Sequence, residues 1–147
     1  MSISIEKGLC NAAMDGHVSE ASSLLRDHPE INVSWTNPDF SQWTSLHAAS
    51  YFGRVEIVKL LLAHPNINVN LKDSNGRTPL SFDCAFGYVY VVQVLLKDPR
   101  VDVALDDNYE RTPLWYAACF GHHKVIEWLI ACGRDLGDIM EREIPGR

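Results

Sequence analysis

Apolar residues along the chain fall into two kinds of short segment that alternate. The first kind is rich in small residues and ends on glycine: Leu46-His47-Ala48-Ala49 before Gly53, Leu80 to Ala85 before Gly87, Leu114 to Cys119 before Gly121. The second kind follows at once, over Val55 to Leu62, Val89 to Leu96 and His123 to Ile130. Its apolar positions keep helical spacing, as in Val55, Val58, Leu61 and Leu62. The pattern predicts two helices joined by a tight turn, again and again. An earlier, degenerate copy runs from Leu9 to His17 and continues over Val18 to Leu25.

Local chemistry supports these boundaries. Thr44, Thr78 and Thr112 stand where a hydroxyl can accept from an orphan amide of the first turn. Pro79 and Pro113 then occupy the first helical position, where no N–H is missed. Each glycine supplies the left-handed residue that ends a helix. His28-Pro29, His64-Pro65 and Asp98-Pro99 stop the second helix. Between units, Ile67-Asn68-Val69-Asn70 and Val101-Asp102-Val103-Ala104 read as short extended arms, and Asp73-Ser74-Asn75-Gly76 as a turn.

The three threonines are spaced by 34 residues, and so are Gly53, Gly87 and Gly121. With Asp73 to Leu80, Leu46 to Ala49, Gly53 to Leu62 and Thr112-Pro113-Leu114, this register resembles the ankyrin-repeat family over roughly residues 9 to 136. The resemblance implies an all-α ankyrin-repeat solenoid of about four repeats, each two antiparallel helices with a projecting hairpin-like loop. It places them in a single domain over 1–147, with boundaries near 1–43, 44–77, 78–111 and 112–147. The family's turn glycine is present as Gly76, whereas Gln42 and Glu110 replace it elsewhere, so those loops are expected to take another turn or to be strained. The family's Thr–His hydrogen bond is implied only at His47, since Ser81 and Trp115 replace the histidine. Asp83 takes an alanine position and is either a solvent contact or a polar group needing a partner.

Composition narrows the function. The 147 residues carry a net charge of −6, which disfavours a sequence-independent grip on nucleic acid. The N-terminus has no apolar stretch behind a basic start, and the longest apolar runs are too short for a bilayer, so neither a secretory signal nor a membrane contact is expected. Cys10, Cys84, Cys119 and Cys132 form no paired motif and read as reduced thiols of an intracellular protein, cytoplasmic or nuclear. Cys119, His122, His123 and Cys132 lie close in sequence, yet lack the paired spacing of a structural zinc site. No catalytic constellation, phosphate loop or cofactor motif occurs, and Asp106-Asp107 read as loop solvation. The chain is therefore expected to be neither an enzyme nor a cofactor carrier.

Stacked repeats turn equivalent positions into columns. The residues before each glycine read Met14-Asp15, Tyr51-Phe52, Ala85-Phe86 and Cys119-Phe120. In the family this column and the loop tips line the concave face. The candidate partner-binding residues are thus Tyr51, Phe52, Phe86 and Phe120, with Trp35, Phe40, Trp43, Asn75, Arg77, Tyr109 and Arg111 from the loops. The phenylalanines either pack between repeats as core or stand open as a contact row. The expected role is a protein–protein interaction module or scaffold for another protein. A small stand-alone inhibitor of an enzyme such as a kinase, and a scaffold fragment of a larger protein, are the alternatives. The last repeat lacks a polar outer face, so self-association through it, or cover from Leu136, Ile139 and Met140, is also open.

Overall fold

The computed structural model describes residues 4–137. Among them lie eight helices in four successive pairs: α1 (Ile5–Asp15) with α2 (Val18–Asp27), α3 (Ser45–Tyr51) with α4 (Val55–Leu62), α5 (Pro79–Phe86) with α6 (Val89–Lys97), and α7 (Pro113–Cys119) with α8 (His123–Ala131). The odd-numbered helices pack on one another in order, and so do the even-numbered ones. The odd row packs more closely. Its small residues allow this: Ala12, Ala13, Ala48, Ala49, Cys84 and Ala117 are all buried between neighbours. The array therefore curves, with the odd helices on its concave side.

Local chemistry starts each pair. Ser4 Oγ accepts from the Lys7 amide at 3.1 Å. Thr44 and Thr112 cap α3 and α7 in the same way. Thr78 departs from the expectation: its hydroxyl pairs with Ser81 Oγ at 3.1 Å, and Pro79 opens α5 without a side-chain cap. Gly16, Gly53, Gly87 and Gly121 end the odd helices at φ between 67° and 76°.

Three of those glycines are also pressed from the next pair. Arg54 donates from Nε and Nη2 to the Met14 carbonyl at 3.2 and 3.0 Å. Tyr88 donates its hydroxyl to the Tyr51 carbonyl at 3.3 Å, and His122 Nε2 donates to the Ala85 carbonyl at 2.9 Å. These are last-turn carbonyls that a helix leaves unpaired. A Cβ on Gly16, Gly53 or Gly87 would run into Arg54, Tyr88 or His122 respectively; one on Gly121 would meet open space. The even row has its own clamps. Arg100 reaches the Leu62 carbonyl at 2.6 Å and the His64 carbonyl at 3.3 Å, and Arg134 reaches the Leu96 and Val101 carbonyls at 2.6 and 2.8 Å. Cations at a helix C-terminus also suit its dipole.

Leu9, Leu46, Ile57, Leu61, Leu95 and Leu129 are fully buried along the row. The arms between pairs bury Ile31 and Val33, Ile67 and Val69, Val101 and Val103. Among the described residues these loops form no strands; one isolated bridge joins Asn37 and Trp43. Aspartates hold the turns instead. Asp73 Oδ1 accepts from the Asn75 and Arg77 amides, and Asp107 Oδ1 from the Tyr109 and Arg111 amides. Asp107 is therefore not a solvation group, as the sequence suggested: it is 7% exposed and built into the turn. Gln42 and Glu110 do sit in the left-handed region, at φ 59° and 63°, where glycine would be unstrained. The Thr–His link forms at His47, whose Nδ1 accepts from the Thr44 amide at 3.1 Å and whose Nε2 reaches the Arg77 carbonyl at 2.9 Å. Asp83 is fully buried with neither carboxylate oxygen hydrogen-bonded, so it is no solvent contact. Burial raises its pKa well above the ordinary value, only partly offset by the facing Ser50 hydroxyl, with which no well-formed hydrogen bond closes.

At the C-terminal end Trp128 and Ile130 of α8 are exposed and Leu136 packs on the core. Ile139 and Met140 lie outside the described residues.

Candidate functional site: an aromatic groove on the concave face

The phenylalanine row is open. Phe52, Phe86 and Phe120 are 41%, 43% and 58% exposed at the ends of three successive odd helices. Packing does not account for that much apolar surface in one line. Tyr51 ties the row together, meeting Phe52 at 5.0 Å and Phe86 at 4.9 Å, both edge-on.

Beneath the row lies a cavity of about 480 Å³ between α3, α5 and α7. Its walls are Tyr51, Phe82, Phe86, Tyr116 and Phe120, and Arg77 stands at its hairpin end. Phe82 and Tyr116 precede Phe86 and Phe120 by four residues, so each pair shares one helix face.

Arg77 lines this cavity, and Arg111 holds the equivalent position one repeat further on, against the Tyr116 ring. The Arg77 guanidinium lies 4.7 Å over the Phe82 ring, and its Nε donates to Asp73 Oδ2 at 3.2 Å. Arg111 lies 4.6 Å from the Tyr109 ring, 5.0 Å from Trp115 and 6.0 Å from Tyr116. The carboxylates below them are already engaged. Asp73 also takes the Trp43 indole N–H at 3.1 Å, and Asp107 Oδ2 takes the Tyr116 hydroxyl. Burial, then that bond to Asp107, pushes the Tyr116 phenol above its ordinary range. Neither arginine's Nη groups have a hydrogen-bond partner among the described residues.

The sequence-derived residues divide accordingly. Tyr51, Arg77, Phe86 and Phe120 converge on the cavity, and Arg111 reaches it through Tyr116. Trp43 is only half-exposed: it packs against Tyr51 at 4.9 Å and Phe82 at 5.4 Å and braces the groove from behind. Phe40 stacks on it at 6.4 Å and is exposed. Phe52 belongs to the row but lies outside the cavity lining, with Arg54 5.9 Å over its ring. Asn75 and Tyr109 are exposed at hairpin tips, away from the cavity. Trp35 is half-buried in the first loop and enters none of these ring contacts. Phe82 and Tyr116 were absent from the sequence-derived set, although the four-residue spacing to each phenylalanine carries the signal.

Other chemistry is committed elsewhere. His122 holds the Ala85 carbonyl, and Cys132 Sγ donates to the Leu129 carbonyl at 2.9 Å. Burial pushes the Cys10 thiol up to about 11 and the Cys84 thiol well above its ordinary value, so neither is a ready nucleophile. Among the described residues no helix is long and apolar enough to cross a membrane.

A family model for ankyrin repeats matches residues 6–73 and 65–139, nearly the whole chain. The chain belongs to the ankyrin-repeat family. No curated protein matches it. Ankyrin repeats are generally protein–protein interaction modules and typically not enzymes, and they usually bind other proteins. In this ankyrin chain the concave side carries the open aromatic row and the cavity beneath it.

Proposed function

We propose that this ankyrin array binds a partner protein through its concave face, seating a bulky side chain of the partner in the cavity between α3, α5 and α7. The module works by shape and apolar contact and catalyses nothing. The exposed tips Phe40, Asn75 and Tyr109 add a second line of contact. The reading rests above all on the open Phe52–Phe86–Phe120 row over a 480 Å³ cavity, a preorganised surface that limits the entropy lost on binding. Its cysteine thiols are free, which suits work in the cytoplasm or nucleus.

The test compares the chain with a Phe86→Ala/Phe120→Ala variant. Proteins captured from native lysate are identified, and one is purified and titrated against both forms. Truncating two hot-spot aromatics is expected to weaken that titration about 30-fold or more, with the helical signal unchanged. Equal affinity for both forms would remove the groove from the binding site.

A further inference from the structure

We infer that the partner segment lying in this groove is an extended, acidic one: a bulky apolar residue for the cavity, with carboxylates placed to meet Arg77 and Arg111. The inference rests on the groove being the binding site and adds the chemistry of what it holds.

The argument starts from the arginines' unused donors. Arg77 spends its Nε on Asp73, and the Phe82 ring covers one face of its guanidinium. Arg111 lies 3.7 Å from Asp107 through Nε and is stacked among aromatic rings. Both forks are thus held by their stacking, with their Nη groups uncommitted among the described residues. Asp73 has no acceptor site left for those donors, and Asp107 has one. Asp73 already takes two turn amides, the Trp43 indole and the Arg77 Nε; Asp107 takes two turn amides and the Tyr116 hydroxyl. A planar fork held by stacking matches a carboxylate in two-point geometry and loses little entropy on pairing.

Spacing adds a register. Neighbouring packed helices lie about 8–10 Å apart, and an extended chain in the polyproline II conformation advances about 3.1 Å per residue with three residues per turn. Carboxylates three residues apart on such a segment share one face, about 9 Å from each other, and therefore reach both arginines. The apolar residue sits beside the one that meets Arg77, because Arg77 forms the end of the cavity. The chain's own net charge of −6 opposes an acidic ligand, so dependence on the arginines is the deciding readout.

The experiment is a random-peptide phage selection on the full chain. Selected peptides are then synthesised and titrated against the wild type, Arg77→Gln, Arg111→Gln, Arg77→Lys and Phe86→Ala, each checked for intact helical signal. The expected winners carry Leu, Phe or Trp with Asp or Glu at three-residue spacing. Each Arg→Gln change is expected to weaken them about tenfold, a step of about 1.4 kcal/mol, with partial rescue by Arg77→Lys. Arg111→Gln keeps the test alive should Arg77→Gln unfold the hairpin. Winners that need Phe86 but lack acidic residues, or ignore both arginines, would overturn this inference and leave the groove as the binding site. Winners indifferent to Phe86→Ala would overturn both. No winners at all would overturn the extended segment and leave a folded partner for the groove.

Discussion

The His122 imidazole fills the space that a Cβ on Gly87 would need, while its Nε2 holds the Ala85 carbonyl at 2.9 Å. Gly121 occupies the same backbone position one unit later, at φ 72° against 73°, with nothing near it. The two glycines therefore separate backbone strain from inter-unit crowding. Gly121→Ala is expected to cost about 1–2 kcal/mol, the price of a left-handed residue with a Cβ. Gly87→Ala should cost clearly more, because His122 must also give way. Urea unfolding of both variants checks this, and equal costs would mean that the imidazole swings aside freely.

Asp83 lowers stability at neutral pH. Its carboxyl titrates above its unfolded value, so the native state binds a proton that the unfolded chain has released. The penalty is absent below the unfolded value near 3.8 and grows as pH rises through and above it. Asp83→Ala, which restores the family's residue, is expected to stabilise the chain by about 1–3 kcal/mol at pH 7. The gain should shrink as pH falls towards 4. A variant no more stable than wild type at pH 7 would contradict the account.

His47 works in the opposite direction. Its Nδ1 accepts from Thr44 and its Nε2 donates to Arg77, so the neutral ring is the one the fold holds. Burial, above all, lowers its pKa. Its contribution is complete above the unfolded value near 6.5 and is lost as pH falls below it, down to the folded value. The stability gap between wild type and His47→Gln should narrow between pH 7 and pH 5. Thermal melts across that range read it directly; a gap that holds constant or widens would show that the ring stays neutral in both states or is charged in the fold.

Arg134 is expected to matter more than an exposed arginine usually does. Its guanidinium holds the Leu96 and Val101 carbonyls from a half-buried position. Arg134→Ala should cost about 1–2 kcal/mol, whereas Arg26→Ala, an exposed ion-pair residue on α2, should stay within about 0.5 kcal/mol. Similar losses in chemical denaturation would deny the clamp its role.

How far the sequence could be read follows from distance along the chain. Helix ends depend on neighbours, so Thr44, Pro79, Pro113 and the glycines announced them. The threonine at 78 misled as a cap because Ser81, three residues on, captures its hydroxyl. The open phenylalanine row required knowing how closely the odd helices approach, which spacing alone leaves undetermined. Trp43 looked like a contact residue because it is large and lies in a loop; its partners Asp73 and Phe82 are far along the chain. Arg100 and Arg134 gave no warning, since the carbonyls they hold lie up to 38 residues away.

Arg54, Tyr88, Arg100, His122 and Arg134 all act backwards, closing helix ends in the unit already made. During synthesis at the ribosome, each unit thus emerges with its helix ends unfinished and is completed only by the arrival of its successor. A polypeptide halted part-way would therefore be left with one incomplete edge, at its growing end.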